Sequence, residues 1–80
     1  MHITVEIGYY PLCDQYKKPI VDFLDRLSKK KDISMTAGIM SSVLAGEYDA
    51  VMNVLVCEIK PLLEKYPSIF ILKIANACKP

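Results

Sequence analysis

The 80-residue sequence has no tryptophan, one histidine, three glycines and almost no charge excess. Each shortage removes a class of function. A formal net charge of +1 supplies no electrostatic drive toward nucleic acid, whose binding rests on many Lys/Arg–phosphate contacts, so no nucleic-acid partner is expected. The lone histidine, His2, has no carboxylate or cysteine cluster near it in sequence. Neither a Ser-His-Asp constellation nor a metal site can be built around it, and it reads as an exposed terminal residue. Gly8, Gly38 and Gly46 are too scattered for a phosphate-cradling loop. No catalytic residue, metal ligand or cofactor is assigned.

Cysteine is also sparse. Cys13, Cys57 and Cys78 are odd in number and widely spaced, without a CxxC pair, which argues against a disulfide framework or a zinc site and fits reduced thiols in the cytoplasm. Cys57 reads as a core residue of a helix. Cys13 and Cys78 fall just past strand ends that adjoin in the fold derived below, so they are open either to pairing or to being ordinary loop thiols. No run approaches the ~20 apolar residues that span a bilayer, and the charge at Glu6 interrupts any signal-peptide core. No membrane insertion is expected.

What is abundant is apolar side chain, 52% of the sequence. Eighty residues make one domain, 1–80, with a marginal core. A chain this short often gains burial by self-association.

Ile3, Val5, Ile7 and Tyr9 alternate with Thr4, Glu6, Gly8 and Tyr10, a period-two strand with one apolar face that Pro11 ends. Asp14 is a plausible cap for a helix starting near Gln15 or Tyr16, with Tyr16, Ile20, Phe23, Leu24 and Leu27 as its apolar stripe. Lys29, Lys30 and Lys31 at its end are read as complementing the helix dipole and staying solvated. Ile33 to Met40 and Val43 to Gly46 read as two strands of a hairpin turning at Ser41 and Ser42. A second helix begins at Asp49, with a stripe through Tyr48, Met52, Leu55, Ile59, Leu62 or Leu63, and Tyr66. Pro61 should bend it near Cys57, and Pro67 stops it. Ile69 to Ala75 is apolar in both alternating sets, which predicts a strand buried on both faces.

The order strand, helix, strand, strand, helix, strand leads to an α+β, ferredoxin-like βαββαβ sandwich, a four-stranded antiparallel sheet with two helices on one face. The first strand then lies between the third and the last. The other face is left for a partner, most simply a second copy. Thr4, Glu6, Tyr10 and Lys73 should share that open face with Ile69 and Ile71. A charge amid aliphatics is costly unless paired. Two readings stay open: a Glu6–Lys73 pair in a dimer seam, or a pocket where a carboxylate meets a cationic or amino-bearing ligand.

Three segments carry a resemblance. Val5 to Leu12 is similar to the "AEISLYPLG" opening of the YkoF-like thiamine/hydroxymethylpyrimidine-binding family. Ile39 to Met52 resembles its "PMGTxxEGdxdeVm" segment, and Lys73 to Pro80 its "kIsNACP" ending. The resemblance implies a ferredoxin-like domain assembled as dimers, tetramers or tandem repeats, and binding of thiamine or its hydroxymethylpyrimidine moiety in salvage or uptake. The positions that match its motifs are Glu6, Tyr10, Pro11, Met40, Ser42, Gly46, Asp49, Asn76 and Cys78; taken with the open-face residues, the expected ligand site is Glu6, Gly8, Tyr10, Met40, Ser41, Ser42, Lys73 and Asn76. Gly8 stands where the family has serine, Ile39 where it has proline, and Ala45 where it has glutamate, with Glu47 expected on the face opposite Ala45. A non-enzymatic binding module is the resulting expectation. A small dimeric isomerase or hydrolase using Glu6 as base and a ligand-free assembly or regulatory domain are its rivals, since the fold hosts all three.

Overall fold

Alternation in the N-terminal segment builds β1 (His2–Pro11), followed by α1 (Lys17–Ser28), β2 (Ile33–Ala37), β3 (Ser42–Glu47), α2 (Tyr48–Lys65) and β4 (Ser68–Ala75). The computed structural model describes residues 1–38 and 41–76. The sheet order is β2-β3-β1-β4, and every neighbouring pair is antiparallel. This is the ferredoxin-like sandwich expected from the element order, with β1 between β3 and β4.

The core lies on the helix side of β1. Ile3, Val5 and Ile7 are at most 1% exposed and pack with Phe23 and Leu27 of α1, Leu44 of β3, and Val51, Leu55 and Leu62 of α2. At one end an aromatic cluster closes the layer. The Tyr9 and Phe70 rings stack at 4.3 Å between centroids, and Phe23 meets both edge-on at 5.4 and 5.6 Å. Such pairs add about 0.5–1.5 kcal/mol each beyond area burial. Burial in this cluster pushes the Tyr9 hydroxyl above its ordinary pKa.

Several local expectations are corrected. Asp14 does not cap α1: the helix starts at Lys17, Tyr16 occupies the cap position with helical backbone angles, and no side-chain oxygen caps it. Tyr16, outside the helix, is exposed, whereas Pro19 in the first turn is buried, where proline removes no backbone hydrogen bond. In α2 the buried line runs through Val51, Leu55, Glu58 and Leu62, with Met52 and Ile59 half-buried at its flank and Tyr48 exposed. Cys57 is exposed rather than core; two residues past Leu55, it is turned about 200° around the helix. The helix runs through Pro61 to Lys65, and Tyr66 and Pro67 end it in extended backbone. The predicted hairpin turn also shifts, because Ser42 is already the first residue of β3. Ile39 and Met40 lie outside the described residues. Ala45 and Glu47 pair with Thr4 and His2 of β1 and so share one face, contrary to the expectation for Glu47.

The line in α2 contains a carboxylate. Glu58 sits between two cations of the first helix and its exit: Arg26 Nη1 at 3.3 Å and Lys30 Nζ at 2.9 Å. Hydrogen bonding from Lys30, then from Arg26, holds the Glu58 carboxyl below its ordinary pKa against the opposing effect of burial. Lys30 is thus an interhelix partner rather than a solvated end charge, while Lys29 pairs with Asp25 at 3.1 Å.

β4 departs most from expectation. Ile69, Ile71, Leu72 and Ile74 are 38–52% exposed. The strand is an edge, paired with β1 alone among the described residues, and the helices pack mainly on β1, β2 and β3, with Phe23 of α1 meeting β4 at Phe70. A run apolar on both faces is therefore left uncovered in the single chain. No helix among the described residues is long and apolar enough to cross a membrane.

Candidate functional site

The antiparallel register of β1 and β4 assembles the site. Glu6 stands opposite Lys73, Gly8 opposite Ile71, and Tyr10 opposite Ile69. All lie on the face away from the helices, because Val5, Ile7 and Tyr9 alternate with them and face the core. Lys73 Nζ is 3.5 Å from Glu6 Oε1, with both side chains well exposed. An exposed pair of this kind contributes about 0–1 kcal/mol, so either partner can be drawn to a ligand at little cost.

Glu6, Gly8, Tyr10, Ser41, Ile71 and Lys73 line one shallow cavity of about 320 Å³, near the lower end of the size range for small-molecule sites. Its chemistry is mixed. Glu6 accepts hydrogen bonds or faces a cation, Lys73 donates, Ser41 does either, Tyr10 offers an aromatic surface, and Ile71 is apolar. Five of the eight residues expected at the site therefore meet: Glu6, Gly8, Tyr10, Ser41 and Lys73.

Of the other three, Ser42 and Asn76 do not join them. Ser42 pairs with Ile7, so the two-residue period turns it to the helix side, where it is buried. There it borders a second cavity of about 190 Å³ with Ile7, Tyr9, Ile20, Phe23 and Leu24. Tyr10 and Ser41 border both cavities. Asn76 follows the end of β4 and is exposed, three residues past Lys73 and so about 10 Å further along the strand direction. Met40 lies outside the described residues, as does Cys78, leaving its relation to Cys13 undescribed. Among the described residues, neither Cys13 nor Cys57 forms a disulfide.

Ile71 was not among the expected site residues, although its place on the open face follows from alternation; its partnership with Gly8 is visible only once the register is known. Among the described residues, no three His, Cys, Asp or Glu side chains are grouped to hold a metal ion. His2 is exposed, at the far end of β1 from Tyr10.

No family model matches the chain, and no curated protein matches it. Solved structures do. A Streptococcus pneumoniae protein superposes with a TM-score of 0.88 at 18% identity, over 98% of this chain and 89% of the other. A Thermotoga maritima protein described as a "putative thiamine biosynthesis/salvage protein" gives 0.81 at 17% identity, over 92% and 82%. A domain of unknown function, DUF77, from Bacillus cereus gives 0.78 at 15% identity, over 94% and 75%. At these identities the likeness establishes the shared fold.

Proposed function

We propose that this chain is a non-enzymatic binding protein for thiamine or its hydroxymethylpyrimidine moiety, acting in salvage or uptake in the cytoplasm. The observation that carries the reading is the convergence of Glu6, Gly8, Tyr10, Ser41 and Lys73 on one cavity, within the segments that resemble YkoF-like proteins, with Glu6 and Tyr10 at positions that match their pattern. An aminopyrimidine presents a donor beside a ring acceptor, which Glu6 and Lys73 complement. A thiazolium cation is favoured by the Glu6 carboxylate and by an aromatic face such as Tyr10, the latter by about 0.5–2 kcal/mol. The structural neighbour described for thiamine biosynthesis or salvage supports the same class of ligand.

The exposed Ile69 and Ile71 beside the cavity favour a second element of the proposal, a homodimer or homotetramer through the open face. A partner sheet would cover these side chains and deepen a cavity that is shallow in one chain. The same observation favours the rival reading of a ligand-free assembly domain.

A thermal-shift titration with thiamine, hydroxymethylpyrimidine and thiamine phosphates, paired with sedimentation analysis, separates the two. Ligand at 100 times its dissociation constant adds about 2.7 kcal/mol, a shift of about ten degrees or more in a domain this small. A saturable, selective shift supports the binding protein. A stable oligomer that none of these compounds shifts at millimolar concentration supports the assembly domain.

A further inference from the structure

The sheet is uneven at one end. β3 pairs with β1 only as far as Ile7 with Ser42, whereas β4 follows β1 to Pro11. Gly8 to Pro11 therefore lack a β3 neighbour among the described residues, and the layer beneath α1 is not closed there. The inner cavity of about 190 Å³ occupies this place, walled by Ile7, Tyr9, Ile20, Phe23 and Leu24 and bordered by Ser42. A void in so small a domain forfeits packing contacts that its lining could otherwise make.

Ser42 gives the void a chemistry. It is 8% exposed, and among the described residues its hydroxyl has no hydrogen-bond partner. Buried hydroxyls are nearly always bonded. None of the described side chains carries a polar atom that is both sealed and unpartnered, so the Ser42 hydroxyl opens into free space, and the space it borders is this cavity. The walls beside it are largely aliphatic and aromatic, a poor setting for ordered water, which needs about two to four polar partners. Size narrows the occupant further. An apolar cavity of about 150 Å³ accepts benzene, so 190 Å³ fits one six-membered ring with a small substituent.

We propose that the inner cavity is a second binding compartment, for a single six-membered aromatic or heteroaromatic ring whose one hydrogen-bonding substituent meets the Ser42 hydroxyl. The assignment goes beyond the open-face reading and does not need Glu6 or Lys73. Tyr10 and Ser41 border both cavities, so the two compartments adjoin. A ligand of two linked rings can set a cationic ring toward Glu6 and its other ring inward.

The test uses benzyl alcohol, a ring with one hydroxyl-bearing substituent, and toluene, its counterpart without the hydroxyl. Each is titrated into the intact chain and followed by nuclear magnetic resonance. Both are expected to give saturating shifts at Ile7, Phe23 and Leu24, with Ile71 on the open face unmoved. Ser42→Ala is expected to weaken benzyl alcohol about three- to tenfold, to leave toluene within about twofold, and to hold the melting temperature of the free protein within about two degrees, since the hydroxyl has no partner to lose. Leu24→Phe, which enlarges a half-buried wall side chain, is expected to weaken both probes at least about tenfold. Absence of saturating shifts with either probe overturns the proposal, as do shifts confined to the open face. Equal losses of benzyl alcohol and toluene in Ser42→Ala overturn the role given to the hydroxyl. Should Ser42→Ala fail to fold, Leu24→Phe decides: unchanged affinity for both probes removes the compartment. A chain that binds benzyl alcohol inside but does not bind thiamine keeps this compartment and loses the open-face reading.

Discussion

Two Glu–Lys pairs stand in this small domain, and they differ in nearly everything but chemistry. Glu58 is 8% exposed, bonded to Lys30 at 2.9 Å and to Arg26 at 3.3 Å, and joins α2 to the end of α1. Glu6 is 48% exposed and faces Lys73 at 3.5 Å across two strands. Interaction between exposed charges is weak because water competes for both partners, while a buried carboxylate has lost its water and depends on the partners it has. The buried pair is therefore committed to structure. The exposed pair costs little to open, which suits a position that binds something else.

The largest expected effect in this comparison is at Glu58. The substitution Glu58→Gln keeps the shape of the side chain and removes its charge. Since Arg26 and Lys30 can turn to water, the loss reflects the charged hydrogen bonds, about 2–3 kcal/mol, or about 10 °C or more in Tm. Glu58→Met should cost less, because an apolar side chain leaves no unpaired polar group on the buried face. A Tm within about two degrees of the unaltered protein for Glu58→Gln would erase the contrast. The pH dependence points the same way. The folded pKa of Glu58 is below the ordinary 4.5, so its contribution is complete above that value and drains away as pH falls through the lower folded-state value. The unaltered protein should lose stability on acidification below about pH 4.5 more steeply than Glu58→Met.

Next in size is Glu6→Gln, whose effect should fall on binding and spare the fold. Losing a charge-assisted contact costs about 1.5–3 kcal/mol, roughly ten- to a hundredfold in affinity for thiamine, whereas the melting temperature should move by less than about 8 °C. A stability loss matching that of Glu58→Gln would mean that the open-face pair is structural.

These two carboxylates also mark the limits of sequence reading. Glu6 was legible because a strand's period is two: once Ile3, Val5 and Ile7 face the core, Glu6 must face away, and the βαββαβ order then brings Lys73 beside it. Glu58 was missed because a helical stripe admits more than one phase. The expected stripe held Leu55 and Leu62 but ran on through Tyr48, Met52 and Ile59, whereas the packed helix centres its buried line on Val51, Leu55, Glu58 and Leu62, which carries Glu58 inward and leaves Cys57 outward. Ser42 was misplaced because it was read as a turn residue; as the first residue of β3, paired with Ile7, it takes the core-facing side by alternation. The burial expected for β4 failed for another reason. The composition of Ile69 to Ala75 describes a strand with two covers, and the helices of one chain reach neither side of most of it.

The smallest expected change in stability comes from Lys73→Met, and it sharpens the comparison most. With the lysine already 77% exposed, its removal should alter stability by no more than about 1 kcal/mol, measured by denaturant unfolding. Binding should respond in a ligand-dependent way. In the free protein Lys73 neutralises Glu6, so a permanent cation such as thiamine must displace the ammonium to reach the carboxylate; without the lysine, its affinity should rise. Hydroxymethylpyrimidine is neutral and offers a ring acceptor that Lys73 can donate to, so its affinity should fall. Opposite changes for the two ligands would show that the pair acts as a charge filter within the site. Parallel changes would assign Lys73 to the sheet alone, and the two Glu–Lys pairs would then differ in strength but not in kind.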